Sequence, residues 1–159
     1  MWKIIQQLCE DIRGNLTVYE AVVLMMTALG SLRCHDKSRV IPVGYSMLLI
    51  LYITLLRRTP EYNEEIRYHI SFLPDVKVWT GNLLNVILYI PLGGTIYNMA
   101  ASIKGTAFAA LLSSVLCEII QYFTHRGVAD INDVLFNLIG ACAGALLFRA
   151  FRAFKKKKD

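Results

Sequence analysis

The sequence has little of what soluble enzyme chemistry is usually built from. Its four cysteines form no CxxC pair, and it has no HExxH or paired-histidine spacing and no GxSxG turn. A zinc or redox motif, a zincin helix and a nucleophile elbow are therefore unsupported. Charge is also missing over long stretches. VIPVGYSMLLILYITLL, Val40 to Leu56, carries none, and GTAFAALLSSVLCEIIQYF, Gly105 to Phe123, carries only Glu118. Predominantly apolar runs of roughly 17–25 residues are what a bilayer span requires. These run lengths oppose the competing reading, a compact soluble all-α domain.

What is present sharpens that reading. The chain is 55% hydrophobic, with 17 Lys and Arg against 12 Asp and Glu, a formal net charge of +5. The excess sits mainly in the tail, at Arg149, Arg152 and Lys155 to Lys158. A basic cluster just beyond an apolar helix marks the cytoplasmic side and contacts anionic lipid. It is not the footprint of a nucleic-acid binder. Cys117 and Cys142 fall in apolar helices, where small apolar packing accounts for them. Cys9 lies near the start and Cys34 in a loop. No cofactor is implied.

Five helices are expected, forming an all-α polytopic membrane bundle, with four spans as the alternative. They cover Thr17 to Leu32, Val40 to Leu56, Thr80 to Ile103 interrupted by Pro91, Gly105 to Phe123, and Ile131 to Phe148. The first also resembles a signal peptide ending in Ala28-Leu29-Gly30. Glu10, Asp11 and Glu20 are misplaced for that, and the span reading is kept. Residues 1–16 are expected to be an interfacial segment, with Trp2, Ile4, Ile5, Leu8 and Ile12 on one face. Residues 17–148 form the transmembrane domain and 149–159 a basic cytoplasmic tail. With five spans, Arg33, Lys37, Arg39 and Lys104 also fall inside. The charge-balanced loop 57–79 and the turn Thr124 to Asp130 fall outside.

One stretch departs from ordinary membrane sequence. CEIIQYFTHRGVADINDVLFN, residues 117–137, holds Glu118, Gln121, His125, Arg126, Asp130, Asp133 and Asn137. Glu118, Gln121 and His125 are spaced i, i+3, i+7, and Asp130, Asp133 and Asn137 repeat that spacing. At about 3.6 residues per turn, each trio lies on one helical face. The short linking turn contains Gly127 and makes the two helices antiparallel neighbours. Their polar faces should then meet in a cleft open to the outside. A charged side chain in a span costs something like 2.5–3.5 kcal/mol, so it persists where it is partnered or solvated. Arg126, and Arg57 or Arg58 from the second helix, are the candidate partners.

The bland account is that these groups lock a helix hairpin. Asp130 as N-cap and Asp133 in the first turn fit it well. It explains Glu118, Gln121 and Asn137 poorly. A metal site from Glu118, His125, Asp130 and Asp133 needs more convergence than the spacing supplies. Asn82 and Asn85 share a face of the third helix. Pro91 should kink that helix, and Gly93 and Gly94 allow close approach. Ser113 and Ser114 read as helix-packing serines, and Gly140 and Gly144 as a small-residue face packing within the chain.

In order and spacing, these residues resemble the VanZ-like family of bacterial membrane proteins. The matching stretches are NVILYIPLG, Asn85 to Gly93; EIIQYF, Glu118 to Phe123; Asp130-Ile131-x-Asp133-Val134; Asn137 and Gly140; and the Tyr52 to Arg57 end of the second helix. The resemblance covers roughly residues 45–148. It implies a multi-pass protein of the bacterial cytoplasmic membrane. The family's founding member is linked to resistance against teicoplanin, a lipoglycopeptide that binds the D-Ala-D-Ala end of cell-wall precursors. The residues expected to bind are Asn85, Glu118, Gln121, Arg126, Asp130, Asp133, Asn137 and Arg57. Their expected ligand is a polar or lipid-anchored group, such as a lipoglycopeptide or a cell-wall precursor. The alternative is an enzyme acting on an envelope lipid or lipid-linked precursor, with Glu118 or Asp133 as acid or base. A small transporter is a third reading, from the kinked helix and buried carboxylate.

Overall fold

In lipid a backbone must satisfy its own N–H and C=O groups, so apolar runs become helices. The computed structural model describes residues 18–33, 39–56, 60, 66–67 and 76–156. The helices are α1 (Val18–Arg33), α2 (Val40–Leu51), α3 (Val76–Ala100), α4 (Ile103–Thr124) and α5 (Ile131–Lys156). Trp79–Ala100, Ile103–Thr124 and Ile131–Lys155 are long and apolar enough to cross a membrane. Val40–Leu56 is a shorter apolar helix, and α1 has 16 residues. The result is an all-α membrane helix bundle. The expected interfacial segment 1–16 lies outside the described residues, as do Arg57, Arg58, Cys9 and Cys34.

Local chemistry sets the helix ends. Pro42 sits in the first turn of α2, where its missing N–H has no intrahelical partner to lose. The α2 helix does not stop at Leu51 but widens into a π-helical turn, Tyr52–Leu56. The α3 helix begins at Val76, earlier than expected, and runs on through Pro91. It ends where Ala101 turns left-handed at φ 51°, its N–H donating to the Tyr97 carbonyl at 2.8 Å. Ser102 then caps α4 by accepting from the Gly105 N–H at 3.1 Å. Ile103 therefore belongs to α4, not to the third helix.

His125, at φ 53°, takes the left-handed position after α4, and no described glycine has positive φ. The Arg126 N–H donates to the Gln121 carbonyl at 3.0 Å and so closes the helix end. Two short strands complete the fold. Strand β1 (Ile66–Arg67) pairs in parallel with β2 (Ala129–Asp130), Ile66 opposite Ala129 and Arg67 opposite Asp130. This brings part of the α2–α3 connection to the α4–α5 turn.

Packing is tightest between α3 and α5. A Cβ added at Gly93 would collide with the Ala141 carbonyl, one at Gly140 with Val86, and one at Gly144 with Ile90. Only glycine lets two backbones approach this closely. The small-residue face at Gly140 and Gly144 thus packs within the chain. Edge-to-face ring pairs sit along the same seam, Trp79 with Phe136 at 6.3 Å and Tyr97 with Phe148 at 6.4 Å. The α4 helix presents opposite chemistry on its two sides. Thr106, Ala110, Ser114, Cys117, Glu118 and Gln121 are buried, while Phe108, Leu112, Leu116, Ile119 and Phe123 are exposed. A helix whose polar stripe faces inward suits a lipid surround.

Candidate functional site

The two polar trios do meet, with contributions from every long helix. Asp130 caps α5 through Oδ1, which accepts from both the backbone N–H and the Nδ2 of Asn132 at 2.8 Å. The cap reading of Asp130 is therefore correct. Its own backbone N–H donates to Glu118 Oε2 at 2.9 Å. The α4 carboxylate thus sits at the N-terminus of α5, where the helix dipole favours negative charge. On the other side, Asn85 Nδ2 of α3 donates to Asp133 Oδ1 at 2.6 Å. One turn deeper, Asn137 Nδ2 donates to Ser114 Oγ at 2.8 Å.

The register organises these contacts into two layers. Each long helix supplies an i, i+4 pair: Asn85 and Tyr89, Ser114 and Glu118, Asp133 and Asn137. The α3 and α5 helices run parallel, since Asn85 meets Asp133 and Gly93 lies against Ala141 at the same offset. Tyr89 and Asn137 fall between those contacts. The outer layer is Asn85, Glu118 and Asp133, and the inner is Tyr89, Ser114 and Asn137. They are about 6 Å apart at ~1.5 Å per residue. The Tyr89 hydroxyl lies beside Ser113, Ser114 and Cys117 of α4. The glycine contacts of α3 and α5 begin alongside these layers, Gly140 against Val86, and continue inward through Ile90, Gly93 and Gly144.

The buried members are deeply buried. Glu118 is 8% exposed, Asn137 5%, Gln121 2%, and Tyr89 and Ser114 0%. Asn85, Arg126, Asp130 and Asp133 are half-buried. Within the two layers and on Gln121 beside them, Tyr89 Oη, Gln121 Oε1 and Asn137 Oδ1 are buried without a hydrogen bond. Such atoms are uncommon and costly in folded proteins.

Gln121 and Arg126 do something the sequence did not suggest. Gln121 Nε2 donates to the Thr54 carbonyl at 3.2 Å, and one Arg126 guanidinium nitrogen donates to the carbonyls of Leu55 and Leu56 at 3.0 and 3.4 Å. The rim of the cluster thus holds the end of α2. Arg126 was expected to answer a carboxylate, and part of its hydrogen bonding goes to this backbone instead.

Sequence reasoning missed Tyr89, Asn132 and the partnering role of Ser114. Tyr89 and Ser114 carried a usable signal, each four residues from a recognised polar position and so on the same face. Glu20 of α1 is also buried. Among the described residues, no three His, Cys, Asp or Glu side chains are arranged to hold a metal ion.

The fold and this buried polar cluster define a multi-pass membrane helix bundle with polar groups gathered at one end of its long helices. More narrowly, the chain belongs to the VanZ/LLP1 family, which it matches over residues 16–152. The match begins well before the stretch from residue 45 onward that carried the resemblance and takes in α1. No curated protein and no solved structure matches the chain.

Proposed function

We propose that this is a multi-pass protein of the bacterial cytoplasmic membrane whose polar cluster is an outward-facing binding cleft. Its ligand would be a polar or lipid-anchored group of the cell envelope, and its effect a contribution to resistance against teicoplanin-type lipoglycopeptides. Asn85, Glu118, Gln121, Asp130, Asp133 and Asn137 are the binding residues, with Arg126 at the rim. The observation that carries this reading is the asymmetry of the α3–α5 pair. Hydrogen-bonding groups gather toward one end, and glycine contacts close the pair from Val86 and Gly140 inward. A site that ends blindly suits capture of a ligand from one side, and the same contacts count against a through-path for transport. The basic end of α5, with exposed Arg149, Arg152 and Lys155, would lie on the cytoplasmic side against anionic lipid.

An enzyme acting on a lipid-linked precursor is the second reading. It is favoured by two carboxylates, Glu118 and Asp133, on facing helices with the Ser114 hydroxyl one turn deeper. Both carboxylates accept hydrogen bonds from fixed donors, which suits a binding role as well as a catalytic one. Teicoplanin susceptibility in a Gram-positive host separates the outcomes. Strains would express the wild type, Glu118→Gln, Asp133→Asn or nothing, at matched membrane levels. Protection that falls partially in Glu118→Gln supports binding, and protection abolished in both variants supports catalysis. No protection from well-expressed wild type would remove the resistance role.

A further inference from the structure

We infer that the inner layer, Tyr89, Ser114 and Asn137, is a subsite for one uncharged hydroxyl group of the ligand. This deepens the binding reading above and rests on it. All three side chains are neutral and at least nine-tenths buried. Asn137 Nδ2 donates to Ser114 Oγ at 2.8 Å, and the Tyr89 hydroxyl lies beside the same serine. Yet Tyr89 Oη and Asn137 Oδ1 have no hydrogen bond. Both adjoin Ser114 Oγ within one layer, so a single small group can meet all three. Ser114 also differs from other hydroxyls of its helix. Thr106, Ser113 and Thr124 donate to carbonyls three or four residues back, at 2.8, 2.9 and 2.6 Å. Ser114 has no such bond among the described residues, and its Oγ accepts from α5 instead.

The layer therefore offers one acceptor, Asn137 Oδ1, one donor, the Ser114 O–H, and in Tyr89 Oη a group that can act as either. Turning the Asn137 amide over exchanges donor and acceptor and leaves the same set. A hydroxyl donates once and accepts twice, so one hydroxyl satisfies all three. A carboxylate or phosphate brings no donor, and an ammonium no acceptor. Either would also bring a charge into a layer of neutral, buried side chains. Packing alone gives no reason for these atoms, since a buried polar atom without a partner is costly. One turn deeper, Gly93 meets Ala141 backbone to backbone, so a group reaching in from the outer layer stops here. The hydroxyl could belong to a glycerol-type headgroup or to a sugar, and the recognition chemistry is common to both.

The test uses the full chain in a neutral detergent, with binding read as Kd for two pairs of probes. Short-chain phosphatidylglycerol is set against phosphatidylpropanol, which keeps the phosphate and the three-carbon chain but lacks the headgroup hydroxyls. A short-chain glucosyl diacylglycerol is set against its O-methylated form. The expected result is at least about tenfold tighter binding of the hydroxyl-bearing member, and the pair that shows it identifies the source. Tyr89→Phe and Ser114→Ala should each cut that ratio about fivefold, the scale of one neutral hydrogen bond. Both should leave the Kd of the hydroxyl-free probe unchanged, which a damaged fold would not. A ratio near one in both pairs would overturn the subsite and leave the layer a place for a buried water only. A ratio that neither variant moves would overturn it as well, by placing hydroxyl recognition elsewhere in the cleft. In both cases bound probes would leave the cleft reading standing. If no probe bound, the subsite would be overturned, and the susceptibility assay would judge the cleft separately.

Discussion

The two halves of the α3–α5 pair solve opposite problems with the same two helices. In the inner half, Gly93, Gly140 and Gly144 bring backbones together and leave no room for a methyl group. Toward the outer end, Asn85 of α3 donates to Asp133 of α5 across the pair, while Asn137 binds Ser114 of α4 and Tyr89 lies beside that same helix. Between apolar helices in lipid, close packing supplies association, because burial from water no longer does. The inner half can therefore stabilise the bundle while the outer half keeps polar groups that a purely structural seam has no use for. Close backbone packing and polar contacts are thus unevenly distributed along the axis of one helix pair.

This contrast yields predictions that run from large effects to small. Gly144→Leu should break the inner half outright. Overpacking against the Ile90 carbonyl costs about 3 kcal/mol or more, and the protein should be lost from membranes on a blot. Preserved abundance would mean the seam can open and would weaken the contrast. Next, a double-mutant cycle of Asn85→Ala and Asp133→Ala should give a coupling of about 1.5 kcal/mol in denaturant unfolding from micelles, as for hydrogen bonds to charged groups. Glu118→Gln keeps the volume and one acceptor oxygen for the Asp130 N–H. It should cost roughly 1 kcal/mol while changing ligand binding more than stability. Tyr89→Phe removes a hydroxyl that has no hydrogen bond, so stability should move by less than about 0.5 kcal/mol. Smallest of all, Leu112→Ala on the lipid-facing side of α4 should leave the Tm almost unchanged in a bilayer mimic.

How far the sequence could be read follows the range of the forces involved. Helix existence and type were legible because apolar runs are local and long. The grouping of Glu118, Asp130, Asp133 and Asn137 was legible because helical spacing places each trio on one face. The packing of Gly140 and Gly144 within the chain was also anticipated. Helix ends were less so. The α5 helix continues to Lys156, beyond the expected Phe148, because alanine, arginine and lysine are good helix formers once the chain leaves the apolar layer. The left-handed turn position falls on His125, since a single positive φ depends on how the turn closes. The β1–β2 pairing joins residues distant in sequence through two-residue strands, too short to show any alternation. The π turn left no compositional trace, and the roles of Gln121 and Arg126 in holding it were hidden with it.

The rim contacts also order the protein's assembly. Gln121 reaches back to Thr54, Arg126 to Leu55, and β2 to β1. Every one of these joins a segment made early in synthesis to one made late. While the ribosome is still extending the chain, the end of α2 waits without the donors that will hold it, and the mouth of the cluster does not yet exist. Only when α4 and α5 have entered the bilayer can the earlier half be latched. A chain stalled or cut before Gln121 would have its first helices and none of these contacts, so the polar groups can come together only once α4 and α5 are in place.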